Sequence, residues 1–188
     1  VLKAHGLAVK KMRDAAKQDI QIGIAPTGSM SYPDSNKPED IEAARMHLMN
    51  INTPLDSWTW NVTWWSDPIF FGEYLGWPVT PESLYWGPYF LYERYKEPIY
   101  ITENGLSCHD VISSDGKVHD PNRIAFVESY LKQLKKASAD GVDIRGYFHW
   151  SLMDNFEWHS GYADRFGMIY VDYQTQKRII KDSGYWYK

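Results

Sequence analysis

The feature that most restricts what this chain can fold into is a repeated alternation. Short, apolar, β-branched runs follow longer segments whose apolar residues recur at helical spacing. Leu2, His5, Ala8, Val9, Met12 and Ala16 fall on one helical face with basic residues outside, which predicts an amphipathic helix over 1–18. Residues 20–25 form a mostly apolar run stopped by Pro26 and Gly28, as a strand buried in a parallel sheet would be. A loop rich in Pro, Ser, Gly and Asn fills 26–37, and Pro38-Glu39-Asp40 opens a second helix that runs to Asn52. Proline is tolerated in a first turn, and acids there meet the positive end of the helix dipole. The aromatic stretch 53–74 reads as further helix and a packed connection. Pro81-Glu82 begins a helix that ends at Tyr95, followed by a strand from Pro98 to Thr102. A polar loop runs from Leu106 to Pro121, a helix covers 121–139 with Gly141 capping it, and a last strand spans 144–152. Such alternation predicts an α/β fold of βα units on a parallel sheet, in which the carboxyl ends of the strands carry the chemistry.

At 188 residues the chain is long enough for one cored domain, expected over 1–188. A net charge of −4 with interspersed signs offers no basic stripe for a phosphate backbone, so nucleic acid is not expected as a partner. Apolar stretches are broken by charge or proline before the roughly 20 residues of a membrane span, and no signal peptide is evident. Cys108 is alone, so no internal disulfide is possible, which suits a cytoplasmic setting. Asn61-Val62-Thr63 fits a glycosylation sequon, a pattern that chance often produces.

Two segments combine acids with aromatics at strand ends. Glu103 follows a buried strand directly and is flanked by Asn104 and Gly105, which hold it on a rigid element while the loop turns away. A plain ion pair at a strand end would look the same. The second cluster runs from His149 to Trp158 and continues through Gly161-Tyr162 and Arg165-Phe166-Gly167. Trp150 alone would be a core residue, and Asp154 with Arg165 a simple salt bridge; together with Glu157 and Trp158 they are more polar and aromatic than solubility requires. Aromatics make up 16% of the chain, and a surface of indoles beside carboxylates suits sugars, whose C–H faces stack on rings while hydroxyls bind acids.

The run Tyr100-Ile101-Thr102-Glu103-Asn104-Gly105, the segment Trp150 to Trp158, and Gly161-Tyr162 through Gly167 to Val171-Asp172 resemble glycoside hydrolase family 1, the β-glucosidases. Gly76-Trp77-Pro78-Val79-Thr80-Pro81-Glu82 and Pro38-Glu39-Asp40 through Ala43-Ala44-Arg45 are similar to that family's linking segments. The resemblance implies a (β/α)8 TIM barrel that cleaves β-linked neutral glycosides of glucose, galactose or fucose through a covalent glycosyl-enzyme, with no metal and no cofactor. It implies Glu103 as catalytic nucleophile, Trp150 as the platform under the sugar, Glu157 and Trp158 as partners of its hydroxyls, and Phe166 as part of the outer pocket.

The chain departs from that family in what it lacks. The Asn-Glu-Pro motif that carries the acid/base is absent, Lys96-Glu97-Pro98 being only an echo of it before the wrong strand. No Asn-Tyr-Tyr strand lies between Tyr74 and Gly76, where the sequence reads like a join across absent residues. About three of the eight strands are evident, and a barrel of this kind takes about 250 residues. Two readings therefore stand at this point: a retaining β-glycosidase, or an incomplete half-barrel that complements the missing remainder, associates with other copies, or binds sugar weakly.

Overall fold

In the computed structural model, residues 2–23, 25, 30–49, 79–158 and 160–188 are described. Their elements, in order, are α1 (Leu2–Ala15), α2 (Pro38–Met49), α3 (Ser83–Tyr95), β1 (Ile99–Asn104), α4 (Pro121–Ala139), β2 (Ile144–His149), β3 (Ile169–Val171), β4 (Arg178–Ile180) and α5 (Asp182–Tyr187). β1 and β2 lie side by side in parallel, joined through α4, so 99–149 is one βαβ unit. β3 and β4 form a short antiparallel hairpin with Tyr170 opposite Ile179.

Helix α4 shows why the sequence folds this way. Arg123, Phe126, Val127, Tyr130, Leu134 and Ala137 are its buried residues, a spacing of three and four that lays one stripe against the sheet. Pro121 starts the first turn, and Gly141 stops the helix at φ +98°, a conformation open to residues without a Cβ. Phe126, Val127 and Tyr130 meet Leu84 of α3 and Leu106, with Ile101 and Tyr147 of the strands packed against them. Tyr85, Ala137 and Val142 form a second cluster that takes in Ile99 and Ile144. A third joins α2 to α3 through Ala44, Leu48 and Phe90.

One face of the β1–β2 pair is thus covered by α3 and α4, while Tyr100 and Phe148 on the other remain 41% and 58% exposed. The register shifts by one between Ile99↔Ile144 and Tyr100↔Gly146. Because strand side chains alternate, that extra residue brings Tyr147 rather than Gly146 onto the covered face.

The structure departs from the sequence expectations in several places. Residues 20–23 and 25 form no strand, so the described residues contain two parallel strands of the three expected. A strand is defined by a backbone ladder, and here the segment meets β1 through a side chain, the Tyr100 hydroxyl donating to Gln21 Oε1. Strand β1 runs on through Glu103 and Asn104, whereas β2 stops at His149, short of Leu152. The helical reading of 53–74 and the join between Tyr74 and Gly76 lie outside the described residues. Neither the β3–β4 hairpin nor α5 had been expected from the sequence.

Candidate active site

Glu103 is the penultimate residue of β1 and points to solvent, its carboxyl held above the ordinary range by partial desolvation. Asn104 beside it is fully buried: its Oδ1 accepts the Tyr147 hydroxyl at 2.8 Å and its carbonyl accepts the Trp150 N–H at 2.9 Å. Asn104 is also in register with His149, so the carboxyl ends of the two strands stand level. Gly105 is required here, since a Cβ on it would lie 1.7 Å from the Trp150 carbonyl oxygen. The two strand ends approach too closely for any side chain between them.

At the end of β2, burial first and then Arg123 depress the His149 imidazole to about 4, so it is neutral near pH 7. The peptide bond between Trp150 and Ser151 is cis. Trp150 is half-buried, and its indole Nε1, like His149 Nδ1, makes no hydrogen bond among the described residues.

The chain from Ser151 to Met168 is an excursion built around Asp154. This fully buried carboxylate accepts from Gly167 N–H at 3.0 Å and Val171 N–H at 3.2 Å, and pairs with Arg165 at 2.6 Å and Lys181 at 2.8 Å. Glu157 lies near the tip, where its N–H donates to the Gly161 carbonyl at 2.7 Å and Gly161 takes φ +61°. Its carboxyl is raised by desolvation first, then by the negative charges of Asp164 and Glu103. Glu103 is the last of these influences on Glu157.

Around them stands a surface of rings. Phe156 meets Tyr162 edge-on at 5.4 Å, Tyr162 lies 4.4 Å from Tyr173, and the Arg165 guanidinium sits 4.0 Å and 4.6 Å over Tyr170 and Tyr173. Trp158 is 89% exposed. Phe166 is buried, with its carbonyl accepting the Ser151 N–H at 3.1 Å. Glu103 and Trp150 thus stand at the strand ends, Glu157 lies near the tip of the excursion that follows β2, Trp158 stands free in solvent, and the Phe166 ring lies inward.

Sequence reasoning found one pair of the charged framework beneath the site, Asp154 with Arg165, and missed the rest. Arg123, buried on α4, donates Nε to Asp120 at 2.9 Å, Nη2 to Asp110 and to the Arg165 carbonyl at 3.2 Å, and Nη1 to the Leu106 carbonyl. Lys181, also fully buried, pairs with Asp110 and Asp154. Ser183 donates its N–H to Asp120 at 2.8 Å. Three cations (Arg123, Arg165, Lys181) thus face three carboxylates (Asp110, Asp120, Asp154), and the charge balances. The signal available was Arg123 itself, a charge set on the apolar stripe of α4.

A family model described as glycosyl hydrolase family 1 matches residues 1–76 and 75–188. Among curated relatives, β-glucosidase A of Thermotoga maritima is 37% identical over 250 aligned positions, covering all of this chain and 54% of that protein. A 1,4-beta-D-glucan glucohydrolase of Thermotoga neapolitana matches to the same extent. Among solved structures, the family 1 β-glucosidase from Thermotoga maritima is similar at TM-score 0.60 and 54% identity over 61% of this chain and 26% of that one. The chain spans about half the length of these curated relatives. With 250 positions aligned against 188 residues, at least 62 positions face no residue of this chain.

Proposed function

The chain belongs to glycosyl hydrolase family 1, and from that premise we propose that it carries the nucleophile half of a retaining β-glycosidase acting on neutral β-glycosides. The family's fold is the (β/α)8 barrel, of which β1, α4 and β2 supply one βαβ unit. The observation that carries the reading is the level pairing of the two strand ends, which sets Glu103 beside the segment bearing Trp150 and Glu157.

In this reading Glu103 Oε attacks the anomeric carbon, the bond to the aglycone oxygen breaks with its electron pair leaving on that oxygen, and a glycosyl ester forms on Glu103. Water then attacks the same carbon, its proton passing to a second carboxylate acting as base, which releases the sugar and returns the Glu103 carboxylate. Trp150 stacks under the ring, and Glu157 and Trp158 take its outer hydroxyls. The mechanism needs a second carboxyl about 5–5.5 Å away to protonate the leaving oxygen. Its motif is absent from this sequence, and the matched stretches that meet at 75–76 support an absent internal segment there. No cofactor or metal takes part.

A second reading, an incomplete half-barrel that needs its other half, is favoured by the open strand face at Tyr100 and Phe148. One experiment separates the two. The protein is incubated with 2,4-dinitrophenyl 2-deoxy-2-fluoro-β-glucoside, whose leaving group needs no proton, and its intact mass is followed. One fluoroglycosyl unit on the Glu103 peptide, absent from Glu103→Gln, is the expected result. No adduct on the chain alone, with an adduct appearing once the absent segment is restored, would favour the half-barrel. An adduct on any other residue would refute the nucleophile assignment.

A further inference from the structure

We propose that Lys181 is a positioning residue for this site, its buried ammonium fastening the loop that follows Glu103 to the loop that carries Glu157. The inference rests on the reading of Glu103 and Glu157 just given. Lys181 Nζ pairs at once with Asp110, seven residues after Glu103, and with Asp154, three residues before Glu157. Neither acid belongs to the strand pair.

The geometry around Lys181 makes it a fixed post. Its N–H donates to the Met168 carbonyl at 2.9 Å, and Ser183, two residues on, is bound to Asp120 at the start of α4. A lysine ammonium carries three donors on a flexible stem, and two are committed to the loop acids. Asp154 in turn holds Gly167 N–H and Val171 N–H, so it closes the base of the excursion from which Glu157 and Trp158 project. Each acid has a cation of its own besides Lys181: Arg123 for Asp110 and Arg165 for Asp154. Removing the lysine therefore leaves both acids paired but no longer joined through a shared cation. The remaining links are indirect: Cys108 N–H, at 2.9 Å, and Arg123 Nη2 both donate to the Arg165 carbonyl, and Arg165 reaches Asp154 through its own side chain, whereas Lys181 bridges the two loop acids with a single group.

The test uses Lys181→Met and the charge-balanced pair Lys181→Met with Asp110→Asn, which keeps the interior neutral should the single variant fold poorly. Amide hydrogen exchange should show 106–110 and 152–158 losing protection together while Phe126–Leu134 in α4 stays protected. The rate of labelling by the fluoroglucoside, corrected for the folded fraction, should fall by about tenfold to a hundredfold with the label still on Glu103. Unchanged exchange in either loop, or a labelling loss that follows only the unfolded fraction, would overturn the proposal. If the unsubstituted chain takes no label even with the absent segment restored, the reading of the site fails on its own account, and the exchange experiment still decides whether Lys181 ties the loops.

Discussion

Replacing Gly105 with alanine tests the closest approach in the site. An added Cβ would sit 1.7 Å from the Trp150 carbonyl oxygen, where contacts under 3.0 Å essentially never occur, so one strand end must retreat by at least 1.3 Å. The Trp150 N–H to Asn104 carbonyl bond, now 2.9 Å, flanks that contact and would be stretched past bonding range. Overpacking costs about 1–3 kcal/mol and the lost hydrogen bond about 1 kcal/mol, a sum of about 2–4 kcal/mol. For a chain of this size that corresponds to a fall in Tm of roughly 4–16 °C. Thermal unfolding followed by circular dichroism measures it. Gly23→Ala is the control, because among the described residues nothing lies within 4 Å of a Cβ there, and it should stay within about 0.5 kcal/mol. The displacement also moves Glu103 relative to Trp150, so labelling of Glu103 should fall beyond the folded fraction. A Tm equal to that of the Gly23→Ala control, with labelling intact, would show that the strand ends are not packed as described.

Three further outcomes follow from the same structure. Tyr147→Phe removes the hydroxyl that Asn104 Oδ1 accepts and should cost about 1 kcal/mol in urea denaturation; no change in the midpoint would mean that bond contributes nothing. Trp158→Ala should leave stability within about 0.5 kcal/mol, because the indole is 89% exposed, yet raise the half-saturating concentration of fluoroglucoside; equal binding would remove Trp158 from the site. His119 presents Nδ1 to Asp182 at 2.6 Å and Nε2 to Asp115 at 3.2 Å, an arrangement that needs both ring protons, and these partners raise its folded value. Its contribution is complete below the unfolded value of about 6.5 and disappears as pH rises through the raised folded value. The Tm of the wild type should drop across that window and that of His119→Gln should not, with parallel curves refuting the contact.

What the sequence made legible were the features that local chemistry determines. The α4 stripe is periodic over five turns, so its helix emerged at 121–139 as expected. Glu103 was visible as an acid at the close of an apolar run, although the run continues two residues further because Asn104 still pairs with His149. Residues 20–25 misled because a β-branched run shows only that a strand could form, while a ladder needs a neighbour in register. The three-residue strands β3 and β4 were too short for any periodicity to appear. Lys181 was illegible for a different reason: its two acids lie 71 and 27 residues away, and no local pattern encodes a pairing at such separations.

That separation governs the order in which the molecule can be completed. Both acid-bearing loops are made well before residue 181, and contacts between distant parts of a chain close late because the loop entropy must be overcome first. Until the segment around Lys181 and Ser183 docks, Asp110 and Asp154 lack one of their charge partners, Asp120 lacks the hydrogen bonds of Ser183, and the two loops lack the cation that they share. The last stretch of the fold to arrive is thus the one that turns two separate carboxylate loops into a single site. A chain shortened before Lys181 would keep Glu103, Trp150, Glu157 and Trp158, the residues proposed to touch sugar, and still hold them out of step.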